Sequence, residues 1–174
     1  MNDEKNIDFR EQTFREILMG WWQSLEMDTG GRAELRRAKS PDEVYVTRPF
    51  QAGLIRSLRD SGYKINGAIM DRLATSAGLM AHLRSGDNES GQSIPEAMAA
   101  QGPGNRARVS GLRFRRLMSI GDRERNELFL ALLRLIRLLK RVNVLELAEA
   151  AYWWNDRIRK TWAVEYYSRA RDEK

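Results

Sequence analysis

The chain has no cysteine, one histidine, four prolines and no long apolar run, and each shortage closes off a class of chemistry. Without cysteine there is no disulfide, thiolate nucleophile, zinc–thiolate site or iron–sulfur cluster. His82 alone makes neither an imidazole metal site nor a two-histidine relay, since both as a rule need a second imidazole; at a helix end beside Leu83 and Arg84 it reads as a C-terminal cap. What remains is carboxylate chemistry or no chemistry. The longest apolar run, Leu128 to Leu133, is six residues, against about 20 for a bilayer span. No membrane segment is expected. Met1 to Phe9, MNDEKNIDF, lacks the basic and apolar regions of a signal peptide, so the expected location is cytoplasmic.

Nucleotide motifs are scarce as well. No phosphate-loop sequence occurs. Gly102-x-Gly104-x-x-Ala107 matches a dinucleotide fingerprint in letters, but it follows the helix former Glu96–Gln101 where a strand is required. It reads as a loop. The expectation is therefore no cofactor, no metal, no small-molecule substrate and no catalytic residue. The carboxylates Glu146 and Glu149, or Asp122 and Glu124, have no second converging helix identifiable in the sequence and read as surface ion-pair partners.

What the chain does have is arginine: 24 of its 30 basic residues. Residues 1–100 hold 13 basic and 15 acidic side chains, whereas 101–141 alone hold 11 and 3. The positive field is thus confined to one stretch, and from Ala97 to Gly121 there is no acid at all. A guanidinium binds phosphate through a planar fork and stacks on bases, so localised arginine suits nucleic acid.

Periodicity is helical throughout. Phe14, Ile17, Leu18, Trp21, Trp22 and Leu25 mark an amphipathic helix over 8–25. Gly30-Gly31 predicts a break before a short helix at 32–38, and Ser40-Pro41-Asp42-Glu43 predicts a helix start. Residues 44–47 suit either a helix end or an isolated strand. Further helices are expected at 50–58, 65–83, 95–101, 110–119, 122–141, 144–154 and 156–169. The fold class is all-α, two packed bundles: an N-terminal lobe over 1–84, a flexible linker with a short helix over 85–105, and a C-terminal bundle with a basic face over 106–174.

In the 122–141 helix, 100° spacing puts Arg123, Glu127, Arg134, Arg137 and Arg141 on one stripe, interrupted by Leu130, with leucine, isoleucine and phenylalanine elsewhere. Each adjacent tryptophan pair, Trp21-Trp22 and Trp153-Trp154, should place one ring in the core and leave the other at the rim, where it could stack on a base or a partner subunit.

Trp21-Trp22-x-x-Leu25, Gly31-Arg32-Ala33-x-Leu35-Arg36-Arg37 and Ser40-Pro41-Asp42-Glu43 resemble the N-terminal half of the CasB family, the small subunit of the type I-E CRISPR surveillance complex Cascade. Arg113-Phe114-Arg115-Arg116-Leu117-Met118, Leu135-Ile136-Arg137-Leu138-Leu139, Trp153-Trp154 and Trp162-Ala163-x-x-Tyr166-Tyr167 resemble its C-terminal half. The resemblance implies a subunit without catalytic activity, a homodimer within the complex, that contacts the guide-RNA assembly and other Cascade subunits and holds the displaced single-stranded DNA of the R-loop. It also implies that Arg37, Arg113 or Arg116, and Arg137 face nucleic acid. With their neighbours, the candidate nucleic-acid residues are Arg32, Arg36, Arg37, Arg108, Arg113, Arg115, Arg116, Arg134, Arg137 and Arg141. Arg56, Arg72 and Arg84 lie in segments that match poorly and are set aside. The alternatives are a sequence-specific helical DNA-binding regulator, with 106–119 as the candidate recognition region, and a carboxylate-dependent enzyme acting on nucleic acid.

Overall fold

The structure, a computed structural model, describes residues 3–170. They form ten α-helices, a π-helical segment and short 3-10 turns, with only isolated β-bridges between extended residues. Two compact units divide after Ser85.

The first unit holds α1 (Gln12–Ser24), α2 (Thr29–Arg37), α3 (Pro41–Tyr45), a π-helical segment (Pro49–Ile55), α4 (Arg56–Asp60) and α5 (Gly67–Met80). The π-helical segment buries Pro49, Phe50, Leu54 and Ile55 and is touched by all five helices. α5 is buried at every residue from Leu73 to Met80. Its polar residues Thr75 and Ser76 turn their hydroxyls onto the carbonyls of Asp71 and Arg72, four residues back, which lets them enter an apolar core without unpaired oxygen.

Two local expectations change here, and one open alternative is decided. The Gly30-Gly31 pair is not a break: α2 starts at Thr29, and the Asp28 carboxylate accepts from Gly31 N at 3.0 Å. A Cβ on Gly31 would lie 2.3 Å from Asp28 Oδ2, so the glycine admits the cap. Residues 44–47 finish α3 as a helix end, with the Thr47 hydroxyl donating to Val44 O at 2.7 Å. Trp21 and Trp22 are both buried, at 8% and 2% exposure, which removes the rim position expected for one of them. Trp21 Nε1 donates to Pro49 O at 3.0 Å, and Trp22 Nε1 is shared by Met80 O and Leu83 O at 2.9 and 3.0 Å.

The second unit holds α6 (Ile94–Ala99), α7 (Gly111–Met118), α8 (Arg125–Leu139), α9 (Val144–Trp153) and α10 (Asp156–Arg169). Much of the segment expected to be a linker belongs to this unit. Glu89 N donates to Val142 O and Val142 N to Asp87 O, at 2.9 and 3.0 Å. A capping box of Ser93 and Glu96 starts α6, which buries Ile94, Pro95, Ala97, Met98 and Ala99 and packs on α10. Gly102 to Ala107 is a loop with Gly104 at φ 71°. α8 is sheathed by buried leucines and Phe129 except along its charged stripe. It ends at Leu139 because Lys140 takes φ 66°, which throws Arg141 off the stripe.

Of the second tryptophan pair, Trp154 is fully buried and Trp153 half-buried. The left-handed backbone of Trp154, φ 32°, ends α9 and turns the indole inward. There its Nε1 donates to Ile120 O at 2.9 Å and its ring meets Trp162 edge-on, centroids 5.4 Å apart.

Candidate nucleic-acid interface

The basic helix α7 is oriented by its apolar side. The Ser110 hydroxyl caps it by accepting from Arg113 N, and Phe114 and Leu117 are buried, so Arg113, Arg115 and Arg116 point outward. Tyr166 of α10 fixes the register: its ring stacks on Phe114 at 4.0 Å and its hydroxyl donates to Val109 O at 2.6 Å.

Between α7 and α8 runs a groove of about 710 Å³. Arg113 and Arg116 stand on the α7 wall, Arg134 on the α8 wall, and Glu127 is the one carboxylate among the lining residues. Leu130 and Leu138, 39% and 44% exposed, contribute an apolar surface with no hydrogen-bonding group. The groove therefore joins three of the ten sequence-derived arginines. Arg115, Arg137 and Arg141 are exposed but do not line it, and Arg108 is exposed on the turn that precedes α7.

Arg36 and Arg37 are exposed on α2 in the first unit. Arg32 is a correction. It is 5% exposed, and its guanidinium donates to Leu25 O at 3.2 Å, to Leu83 O at 2.9 Å and to Glu26 at 3.2 Å. Burial lowers its pKa, while the Glu26 charge opposes that shift and Arg84 and Arg36 add to it. Each of its three nitrogens donates to a protein oxygen, so Arg32 is a structural residue that holds the end of α5 to α2. Arg36 and Arg84 flank it around a small pocket of about 210 Å³. Arg84, set aside on sequence because its segment matched poorly, thus enters the basic cluster of this unit.

The carboxylates differ from expectation too. Glu146 is no surface ion-pair partner: its two oxygens accept from Ile94 N at 3.1 and 3.0 Å. Burial pushes its pKa up to about 7, against the Ile94 hydrogen bond, and Glu165, Glu96 and Glu149 add to the rise. Among the described residues no three histidine, aspartate or glutamate side chains are grouped to hold a metal ion, and no helix is long and apolar enough to cross a membrane.

Against known proteins, the family of CRISPR-associated protein Cse2 matches residues 31–167, from the first turn of α2 to the end of α10. The chain belongs to the Cse2 family. Its role accordingly lies in the type I-E CRISPR complex, in association with other Cascade subunits. The fold agrees with the crystal structure of CasB from Thermus thermophilus, at a TM-score of 0.66 over 88% of this chain and 97% of that chain. At 18% identity that likeness concerns the fold. No curated protein matches the chain in sequence.

Proposed function

We propose that this Cse2-family chain is a non-catalytic, nucleic-acid-holding subunit of Cascade, working in the cytoplasm as a homodimer within the complex, where it steadies the guide-RNA assembly and the displaced DNA strand of the R-loop. The observation that carries the reading is a set of eight exposed arginines, 36, 37, 108, 113, 115, 116, 134 and 137, none of which forms an ion pair among the described residues, with Arg141 exposed as well but acting on the Glu89 carboxylate. A soluble surface normally intersperses charges of both signs. Guanidiniums without a carboxylate partner, three of them (Arg113, Arg116 and Arg134) along one groove, are instead suited to neutralise phosphates.

Base pairing with the guide carries sequence specificity in R-loop systems, and strand exchange is nearly balanced in energy. A few phosphate contacts to the displaced strand then suffice to favour the open state, with no reaction to catalyse. The lone carboxylate of the groove, Glu127, also fits poorly with a two-carboxylate nuclease.

The test is equilibrium binding of thymidine 30-mers, unrelated mixed-sequence single strands and duplexes. Comparable affinity across single strands supports the reading. Strong preference for one duplex sequence supports a regulator instead, and metal-dependent cleavage abolished by an acidic-residue substitution supports an enzyme.

A further inference from the structure

Of the aromatic side chains among the described residues, Tyr167 alone is more than half exposed, at 53%. It is not a loose surface ring. Phe114 and Tyr166 form a parallel stack with 4° between planes, and Tyr167 meets both edge-on, at 5.5 Å and 88° to Phe114 and at 5.2 Å and 87° to Tyr166. Two buried rings thus hold the exposed one, so presenting it to a ligand costs little ordering of the side chain. Phe114 lies between Arg113 and Arg115 in the basic helix. The exposed ring is therefore anchored on the helix that carries three of the unpaired guanidiniums.

We propose that Tyr167 is a base-stacking platform for single-stranded nucleic acid beside the α7 arginines, an inference that rests on the nucleic-acid reading above. A flat ring contacts any base through its π face, which adds affinity without sequence preference. Duplex bases are already stacked on one another and offer no free face, so the contribution is confined to an unpaired strand. The positive charge of α7 favours a polyanionic partner over an apolar protein surface, although Val164, 68% exposed one turn earlier on α10, would suit the latter.

Stacking and phosphate contacts separate by salt. Loss of a phosphate contact flattens the log–log dependence of affinity on salt by roughly 0.7 for a single strand, whereas loss of a stacked base lowers affinity and leaves that slope alone. The experiment uses the full chain, a thymidine 30-mer and the same oligomer carrying 5-iodouracil for photocrosslinking. Tyr167→Ala should weaken binding on the order of tenfold with an unchanged salt slope. Tyr167→Phe should bind like wild type, and the crosslinked peptide should contain Tyr167.

Wild-type affinity in Tyr167→Ala, or crosslinks only elsewhere, overturns the platform while the nucleic-acid reading stands. Oligomer binding unchanged but the variant lost from assembled Cascade overturns it in favour of a protein contact. Failure of wild type to bind any strand removes both. Should Tyr167→Ala unfold, the crosslink position and Tyr167→Phe still decide.

Discussion

Tyr166 and Phe114 stack face to face at 4.0 Å, and the Tyr166 hydroxyl reaches past the pair to the Val109 carbonyl. One side chain of α10 thereby fixes both the core side of the basic helix and the residue before its cap. The direction of the α7 arginines is set from the core, at a position that carries no charge.

Tyr166→Phe keeps the stack and removes the donor to a buried carbonyl. The expected loss is about 1–3 kcal/mol, and Phe114→Ala should cost about 3–5 kcal/mol. Urea unfolding followed by tryptophan fluorescence measures both.

Arg32→Ala should destabilise the first unit by roughly 2–4 kcal/mol, because two buried carbonyls, of Leu25 and Leu83, lose a charged donor. Arg36→Ala and Arg37→Ala, at exposed positions, should stay within about 0.5 kcal/mol. The same unfolding measurement across the three variants separates the structural arginine from its neighbours; equal effects would contradict the assignment.

The adjacent glycines should respond in opposite directions. Gly31→Ala drives a Cβ against the Asp28 carboxylate and should cost roughly 1 kcal/mol through the lost cap. Gly30→Ala meets nothing within 4 Å and should stabilise by about 0.5–1 kcal/mol, the usual gain of alanine over glycine within a helix. Thermal unfolding of the pair tests the cap geometry.

Glu146 makes stability depend on pH. Its folded-state pKa, near 7, lies above the ordinary 4.5, so its protonated form favours the folded state. That stabilisation is complete below about pH 4.5 and is lost as pH rises through 7, an order-of-magnitude change of about 3 kcal/mol. The surrounding carboxylates Glu96, Glu149 and Glu165 act in the same direction, and the Arg169 guanidinium pairs with Glu96 at 3.2 Å. Glu146→Gln keeps an oxygen for Ile94 N and cannot ionise. Unfolding free energies at pH 5 and pH 7.5 should therefore differ less in the variant than in wild type.

These sites show where sequence reading runs out. The spans expected for α10 and α7 agree with the observed helices to within a residue or two because helix boundaries are set by local residues; the structure shows Asn155 and Ser110 capping the two starts. The role of Arg32 was not legible, since what buries it includes a carbonyl 51 residues away, and its motif presents it as one arginine among three. The partner of Glu146 is 52 residues distant. Trp21 and Trp22 sit 100° apart on α1, and only the arrival of the π-helical segment and the end of α5 on two sides covers both. In the basic region, composition identified the arginines, but the groove exists only through the pairing of α7 with α8. It takes in Arg113, Arg116 and Arg134 and leaves out Arg115 and Arg137.

The most direct test of the basic groove is the salt dependence of single-strand binding by wild type and an Arg113→Ala/Arg116→Ala double variant, as isolated chain and in reconstituted Cascade bearing an R-loop. The expected result is weaker binding to unrelated sequences alike, a log–log slope flatter by roughly 1.4 for two lost phosphate contacts, and nearly unchanged thermal stability. Equal affinity and equal slope in both settings would contradict the groove and leave this subunit a scaffolding role alone.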